Sequence, residues 1–193
     1  MEEFYSLQGE GHHTGKPAWF IRIGGCDVGC RWCDVKESWN ANLHPLTPTQ
    51  QIAEHAAECI AKAVVVTGGE PLQFNLNYLC QKLHAQNIQT YLETSGSEPL
   101  SGKWHWICLS PKQNVPPLPA ILPLANELKV IIHNSADFAW AEKYSTLVNP
   151  TCKLLLQPEW SQYNKMIQQI VDYIMQNPKW SISIQAHKFM RIP

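Results

Sequence analysis

The chain has 193 residues, of which 45% are apolar and 16% are charged, so it can bury a core and disorder is not expected. The formal net charge is −1 and the basic residues are scattered, which gives no support for binding to nucleic acid or to an anionic membrane. The longest aliphatic run, 64–66, is too short to span a bilayer, and we expect a single domain over residues 1–193.

The amino-terminal residues do not resemble a secretory signal, because Glu2 and Glu3 stand where its basic region should be. The sequence begins almost inside a motif, so we expect a few residues to precede it. Seven cysteines are an odd number, which argues against a secreted disulfide scaffold and predicts a reducing, cytoplasmic location. Four of them stand alone in apolar stretches and are expected to be buried: Cys59, Cys80, Cys108 and Cys152.

The first patterned segments are a strand and a helix. Residues 18–23 alternate in the way that is typical of a strand. Its apolar face is expected to carry Trp19, Ile21 and Ile23. Thr47 is then expected to cap a helix, with Pro48 at the first helical position and Gln50 completing a capping box. The apolar stripe of this helix is predicted from a spacing of four residues: Ile52, Ala56 and Ile60.

The later elements continue the alternation of strands and helices. Strands are predicted at 63–67, 88–94, 106–110, 127–132, 153–157 and 181–185. Helices are predicted around Leu76, Leu79 and Leu83, at 137–144 and at 163–176, the last with Ile167, Ile170, Val171 and Ile174 facing inward. The proline-rich segment 111–123 is predicted to be a loop. Such a series implies βαβ units and an α/β fold with a mainly parallel sheet, which is either an open doubly wound sheet or a barrel, complete or incomplete.

Polar or glycine residues follow five of the predicted strands. They lie at 67–70, 93–95, 110–112, 157–159, and 185 with 187. One polar loop would carry no information, since loops are generally polar. Because parallel α/β folds build their sites at the carboxyl edge of the sheet, five such endings favour a shared site there.

The sequence "GGCDVGCRWC", residues 24–33, places Cys26, Cys30 and Cys33 close together. A structural zinc site needs four ligands, but His44 lies eleven residues further on and the chain has no second cysteine pair. Iron–sulfur clusters also normally take four thiolates, and a [4Fe–4S] cluster held by three leaves one iron open to a substrate or cofactor. The glycines allow the backbone to approach such a cluster closely.

The Cys-x3-Cys-x2-Cys spacing, with Trp32 before the last cysteine, resembles the signature of radical S-adenosylmethionine (SAM) enzymes, and "GGEP" at 68–71 resembles their SAM-binding segment. The resemblance implies an incomplete, modified (βα) barrel. It also implies a [4Fe–4S] cluster on Cys26, Cys30 and Cys33, with SAM on the fourth iron. In that superfamily one electron cleaves SAM, and the resulting 5′-deoxyadenosyl radical abstracts hydrogen from the substrate.

Two groups of short radical SAM enzymes are candidates, the glycyl-radical activases and the 7-carboxy-7-deazaguanine synthases. The opening "FYSLQGEGHHTGKPAWFIRIGGC" resembles the second group, as do "VVTGGEPL", "LETSG", "LSPK", "ELKVI", "LQPEW" and "QAHKFMRIP". This implies a lyase of queuosine and 7-deazapurine biosynthesis that converts 6-carboxy-5,6,7,8-tetrahydropterin to 7-carboxy-7-deazaguanine with loss of ammonia. It also implies a homodimer and a reducing electron donor such as flavodoxin. A glycyl-radical activase and, more remotely, a non-catalytic zinc-binding module are the alternatives.

The resemblance also implies site residues. Those expected to bind the substrate are Leu7, Gln8, Glu10, Gly11, Arg22, Thr67, His187 and Pro193. Those expected to bind the cofactor are Trp32, Cys33, Asp34, Gly69, Glu93, Ser110, Lys112 and Gln157. Glu10 suits the N–H groups of a pterin, Arg22 suits the substrate carboxylate, and Glu93 suits ribose hydroxyls. Ser110 and Lys112 could instead form an ordinary turn around Pro111.

One position departs from the family pattern. Many members carry Thr or Ser directly after Cys-Asp, and that hydroxyl binds Mg²⁺. Val35 stands at this position and offers no side-chain ligand. A neighbour such as Asp34 or Glu37 could supply an oxygen, water could do so, or the enzyme works without the ion.

Overall fold

Eight strands form one sheet, and they are ordered in the sheet as they are in the chain. The computed structural model describes residues 2–193. The strands are β1 Glu2–Leu7, β2 Pro17–Ile23, β3 Ala63–Gly68, β4 Gln89–Thr94, β5 Trp106–Leu109, β6 Glu127–Ile132, β7 Lys153–Pro158 and β8 Trp180–Ile182. The helices are α1 Thr49–Glu58, α2 Asn77–His84, α3 Asp137–Ser145, α4 Tyr163–Gln176 and α5 Ala186–Met190. Five single-turn 3₁₀ helices lie in the connections.

All neighbouring strands from β2 to β8 run parallel, and only β1 pairs antiparallel, at the edge next to β2. Strands β1 and β8 lie at opposite ends of the strand order, so the sheet is open rather than closed. The α/β class and the incomplete barrel predicted from the sequence are confirmed.

The outer face of the sheet is apolar and carries the helices. Successive residues of a strand point to opposite faces. Leu92, Leu128, Val130 and Leu156 are fully buried in one cluster with apolar residues of α1, α2, α3 and α4. Trp19, Ile21 and Ile23 all lie on this face, as the alternation in 18–23 predicts.

The inner face of the sheet is polar over much of its area. Strand register places Arg22 beside Thr67, and Cys108 lies between Glu93 and Glu127 on the two neighbouring strands. A small apolar cluster of Ala18, Phe20 and Val65 covers the part of this face near β1. The inner face therefore carries charged residues of β2, β4 and β6.

The chain's first loop meets its last segment across the opening of the sheet. The Gly9 carbonyl accepts a hydrogen bond of 2.8 Å from the amide of Ala186. The amide of Gly11 donates to the Ser183 hydroxyl at 2.9 Å. These contacts place residues 8–16 and residues 183–187 over the same end of the inner face.

The boundaries of α1 and β8 differ from those predicted. Helix α1 begins at Thr49 because the amide of Ile52 bonds to the Pro48 carbonyl, and no side chain caps it, so the Thr47 capping box is wrong. The helix ends at Glu58, which leaves Ile60 outside it and 90% exposed. Strand β8 ends at Ile182 rather than continuing to residue 185.

Two further features differ from the sequence prediction. Val171 lies on the exposed side of α4, whose buried residues are Met166 and Ile170. Strand β1 is absent from the prediction, and none of its residues is fully buried, which is why no apolar alternation marks it.

The four isolated cysteines are buried as expected, and 111–123 is a loop apart from the start of one 3₁₀ turn. No helix between residues 2 and 193 has the length and apolar character needed to cross a bilayer.

Candidate active site

The three clustered cysteines lie on the loop that follows β2, and all three are half-buried free thiols. The loop is held to the chain that follows it: the amide of Cys26 donates to the Trp39 carbonyl at 3.1 Å, and the Trp39 indole donates to the Cys33 sulfur at 3.3 Å. Burial raises the pKa of both the Cys26 and the Cys30 thiol. The three thiols are thus partly shielded from water on a loop whose first and last cysteines both contact Trp39.

The glycines of "GGEP" pack directly against the cysteine loop. The amide of Gly69 donates to the Ile23 carbonyl at 2.9 Å, and a Cβ at Gly69 would lie 2.1 Å from the Gly25 carbonyl oxygen and 2.8 Å from the Cys26 Cβ. Gly68 has a φ of +140° and is as tightly packed against Ile23. No side chain fits at either glycine, so this spacing keeps the two motifs in backbone contact.

Glu70 has a structural role in this motif. It is 1% exposed, and its carboxylate accepts hydrogen bonds from the Thr94 hydroxyl at 2.6 Å and from the amide and hydroxyl of Ser95. It also accepts from the amide of Leu72. Glu70 therefore connects the end of β3 to the end of β4, and these donors satisfy its buried carboxyl oxygens.

A cavity of about 340 Å³ opens beside the three cysteines, and it is called the cysteine cavity below. It lies at the carboxyl edge of the sheet, as the polar strand endings predict. Every residue that the resemblance assigns to the cofactor lines it: Trp32, Cys33, Asp34, Gly69, Glu93, Ser110, Lys112 and Gln157. Cys26 and Cys30 line it as well.

A second cavity of about 180 Å³ adjoins the first, and it is called the arginine cavity after Arg22. Seven of the eight residues that the resemblance assigns to the substrate line it: Leu7, Gln8, Glu10, Arg22, Thr67, His187 and Pro193. The eighth, Gly11, is not among the residues that line this cavity. It has a φ of +72°, and a Cβ there would lie 2.2 Å from the Glu127 carboxylate.

Glu10, Glu93 and Lys129 line both cavities and form what is called the shared wall. The Lys129 ammonium donates to Glu10 at 2.8 Å and to Glu93 at 2.9 Å. The Gln8 amide donates to the other Glu93 oxygen at 3.1 Å. Burial raises the pKa of Glu10, but the attraction of Lys129 and the hydrogen bonds from Lys129 and Gln157 outweigh it and lower that pKa to about 2. Glu10 is therefore ionised at neutral pH.

The other polar residues of the cysteine cavity are also fixed by neighbours. The Lys112 ammonium donates to the Ser110 carbonyl and hydroxyl at 2.7 and 2.6 Å, and burial lowers the pKa of Lys112. The Gln157 side-chain oxygen accepts from the Ser183 hydroxyl at 2.6 Å. The Ser183 hydroxyl also accepts a hydrogen bond from the Gly11 amide, so Ser183 connects the first loop to β7.

Besides Lys129 of the shared wall, the arginine cavity is lined by the sheet residue Arg22. Arg22 makes an ion pair with Glu2 on the neighbouring strand, and its guanidinium lies 5.3 Å from the centre of the Phe4 ring. Its neighbours Ile21 and Ile23 lie on the opposite face of the sheet, as expected. Arg22 is thus directed toward the inner space with its charge only partly neutralised, because Glu2 is half-exposed.

Asp34 is held by the carboxy-terminal segment. Its carboxylate accepts from the Gln185 amide at 3.2 Å and lies 3.3 Å from the Lys188 ammonium. Val35, the next residue, lines the arginine cavity with an apolar side chain.

Three residues that support the site were not predicted from the sequence: Lys129, Ser183 and Trp39. Lys129 does have a signal, since Glu127 and Lys129 alternate with apolar residues in "ELKVII" and so mark a charged inner face. Ser183 has none, because its partner Gly11 is 172 residues away in the chain.

Comparison with known proteins identifies the class of enzyme to which this fold and this site belong. Residues 20–107 match the radical SAM superfamily. The fold is also similar to the crystal structure of Streptococcus suis SuiB bound to S-adenosylmethionine, with a TM-score of 0.56 at 13% identity over 84% of this chain and 45% of that one. This chain combines an open, mainly parallel α/β sheet with a Cys-x3-Cys-x2-Cys loop at the carboxyl edge of that sheet. Together with the match to the superfamily, this combination identifies a radical SAM enzyme.

Full-length relatives narrow the class. The chain is 56% identical to a 7-carboxy-7-deazaguanine synthase from Flavobacterium psychrophilum, over 100% of this chain and 91% of the relative. It is 46% identical to that of Synechocystis, over 99% and 91%. The crystal structure of QueE from Escherichia coli matches with a TM-score of 0.83 and 30% identity, over 96% of this chain and 92% of that one. The chain belongs to the 7-carboxy-7-deazaguanine synthase family.

Proposed function

We propose that this protein converts 6-carboxy-5,6,7,8-tetrahydropterin to 7-carboxy-7-deazaguanine with loss of ammonia, as a radical SAM lyase of 7-deazapurine biosynthesis. One observation carries the proposal beyond family membership. The residues expected to bind the cofactor line the cysteine cavity, those expected to bind the substrate line the arginine cavity, and the two cavities meet at the shared wall. This arrangement suits a reaction in which a bound cofactor acts on a neighbouring substrate.

The cysteine loop fits a [4Fe–4S] cluster by its donors. Cys26, Cys30 and Cys33 are three free thiols on one cavity, and Gly69 allows the backbone to close around it. When bound, the cluster with SAM supplies the one-electron cleavage that starts hydrogen abstraction.

The remaining residues of the cysteine cavity are proposed to hold SAM. Glu93 is positioned to accept hydrogen bonds from ribose hydroxyls. Trp32, which stacks on His133 with ring centres 5.3 Å apart, offers an apolar surface beside Cys33. Gln157 and Lys112 supply polar contacts, each already oriented by a hydrogen bond to a serine. These side chains bind and orient the cofactor and do not react themselves.

The arginine cavity is proposed to hold the pterin. The ionised Glu10 accepts from the N–H groups of the ring, and Arg22 binds the substrate carboxylate, which would displace or share Glu2. His187 and Pro193 close the cavity on the side of α5 and exclude water. The substrate is thereby held at the shared wall, next to the cofactor.

The residues at the family's magnesium position do not fit the ion. Val35 has no oxygen in its side chain, and the Asp34 carboxylate is already bound by Gln185 and Lys188. Mg²⁺ needs several oxygen ligands in octahedral geometry. We therefore propose that this enzyme does not depend on a protein-held Mg²⁺ at residue 35.

Other parts of the proposal extend the family resemblance. We propose that residues 1–193 act as one domain, as a homodimer in the cytoplasm, with a reducing electron donor such as flavodoxin. Size-exclusion chromatography with light scattering checks the dimer. Turnover with reduced flavodoxin, compared with a chemical reductant, checks the donor.

The direct test uses anaerobically reconstituted protein. Incubation with SAM, a reductant and 6-carboxytetrahydropterin should yield 7-carboxy-7-deazaguanine and ammonia, detected by mass spectrometry. Absence of product from protein with an intact cluster would refute the activity. A glycyl-radical signal on a partner enzyme without pterin turnover would instead support an activase, and stoichiometric zinc in colourless protein would support a zinc-binding module.

A further inference from the structure

Among residues 2–193, Lys129 is the one buried cation that lines both the cysteine cavity and the arginine cavity. It projects from the middle of β6 and is 4% exposed. Its ammonium contacts one oxygen of Glu10 and one oxygen of Glu93, at 2.8 and 2.9 Å. The residue is thus in contact with a proposed ligand of the pterin and with a proposed ligand of the SAM ribose.

The shared wall requires a positive charge. Glu10 and Glu93 both pair with the same ammonium, and Glu127 lies two residues before Lys129 on β6. Two carboxylates that face each other in a low-dielectric space cannot both stay ionised without a counter-charge. A neutral carboxylic acid at Glu10 would turn an acceptor into a donor and lose its match to the N–H groups of a pterin.

We propose that Lys129 is a positioning residue that holds the Glu10 carboxylate for the substrate and the Glu93 carboxylate for the cofactor. This inference rests on the proposed function of the two cavities. In this proposal Lys129 acts through its contacts with the two glutamates. One side chain therefore couples the binding of the pterin to the binding of SAM.

The charged and titratable groups around Lys129 come from several elements. Those that influence it, or influence Glu10, are Glu93 on β4, Cys108 on β5, Glu127 on β6, Lys112 on the following loop of β5, and His187 on α5. The negative groups outweigh burial and raise the pKa of Lys129 well above its usual value. Lys129 therefore stays protonated over the range in which the enzyme can be assayed.

The test compares Lys129→Met, which removes the charge, with Lys129→Arg, which keeps it. Lys165→Met on the exposed side of α4 is the matched control. For each variant the cluster content is measured by visible absorbance and the fold by thermal unfolding. The KM values for the pterin and SAM, together with kcat, are then measured as a function of pH. Pterin binding followed by tryptophan fluorescence gives a readout that does not depend on turnover.

Lys129→Met should raise both KM values roughly tenfold or more near neutral pH, with the cluster retained. Without the ammonium, burial raises the pKa of Glu10, so the pterin KM of Lys129→Met should fall again as the pH rises. The wild type and Lys165→Met should show no such dependence, and Lys129→Arg should recover most of the affinity. A purely structural role would not produce a KM that recovers with pH.

Wild-type KM values and a wild-type pH profile in Lys129→Met would overturn the inference while leaving the proposed function intact. Failure of the wild type itself to convert the pterin would instead refute the proposed function. If Lys129→Met does not fold, Lys129→Met combined with Glu93→Gln removes one positive and one negative charge together. In that double variant the pterin KM should still fall with rising pH, and a flat profile equal to that of Glu93→Gln alone would overturn the inference.

Discussion

The two faces of the same strands are buried to nearly the same degree but are built from different residues. Leu128 and Leu156 on the outer face are 0% exposed, while their neighbours Lys129 and Gln157 on the inner face are 4% and 2% exposed. The outer residues pack against helices, and the inner ones make hydrogen bonds across the cavities. Burial alone therefore does not tell whether a residue serves the fold or the site.

The energetic consequences of the two faces are also different. Apolar burial on the outer face stabilises the fold by about 25 cal/mol for each Å² removed from water. The charges on the inner face lose hydration, and their pairing with Lys129 does little more than offset that loss. The outer face supplies the stability that allows the inner face to keep a charged site.

The largest expected effect separates the two classes of cysteine. Cys30→Ala should abolish the cluster and all turnover, because it removes one of three thiols on the cysteine cavity. Cys80→Ala, in the buried part of α2, should keep both and cost about 1 kcal/mol of stability. Visible absorbance after anaerobic reconstitution and urea unfolding measure the two effects. Equal loss of cluster in both variants would show that the division is wrong.

A neighbouring pair on β7 tests the two faces directly. Leu156→Ala should lower the free energy of unfolding by about 2–5 kcal/mol and leave the KM for SAM unchanged in the folded fraction. Gln157→Met should cost about 1 kcal/mol through the lost Ser183 hydrogen bond but raise the KM for SAM. Urea unfolding and steady-state kinetics provide the measurements. A large rise of the KM in Leu156→Ala would contradict the separation.

The charge of Glu10 should appear in the pH dependence of stability. Its pKa of about 2 in the folded protein lies below the ordinary value of 4.5. The ionised carboxylate therefore contributes fully to the free energy of unfolding above the ordinary pKa, and this contribution is lost as the pH falls toward 2. Between neutral pH and about pH 4, the free energy of unfolding of the wild type should fall by about 1 kcal/mol more than that of Glu10→Gln. Urea midpoints for both proteins at several pH values measure the difference. Parallel pH curves would mean that Lys129 does not stabilise the ionised form.

The smallest effect concerns an apolar residue on the inner side. Chelation of Mg²⁺ should leave wild-type turnover unchanged, because Val35 supplies no ligand. Val35→Thr restores a hydroxyl and should gain a stimulation by Mg²⁺ of roughly a few-fold. Val35→Ala, which has no hydroxyl, is the control and should gain none. Wild-type turnover that stops on chelation would refute the proposed independence.

The sequence predicts seven of the eight strands because parallel strands buried on their outer face carry dense apolar alternation. Strand β1 lacks this apolar alternation, because it lies at the sheet edge and its residues are at most half-buried. The start of α1 was misplaced because the Pro48 carbonyl, rather than the Thr47 side chain, satisfies the first turn. Edges and helix ends depend on tertiary contacts that periodicity does not encode.

The candidate site could be predicted where residues are close in sequence or follow a strand. The cysteine loop and the "GGEP" turn are of this kind, and they do lie in contact. Lys129 could have been found from the alternation of charges in β6. The bond of Ser183 to Gly11 could not, because it depends on how the open sheet curves over 172 residues of chain.

The contacts of Gly9 with Ala186 and of Gly11 with Ser183 have a consequence for biosynthesis of the protein. A nascent chain can pair β2 to β6 and form much of the outer core while residues 183–187 are still inside the ribosome. Until then the loop that carries Glu10 contacts the sheet, through Lys129 and Glu127, but lacks its contacts with residues 183–187. The arginine cavity is therefore completed only after this segment has been made, because His187 lines it.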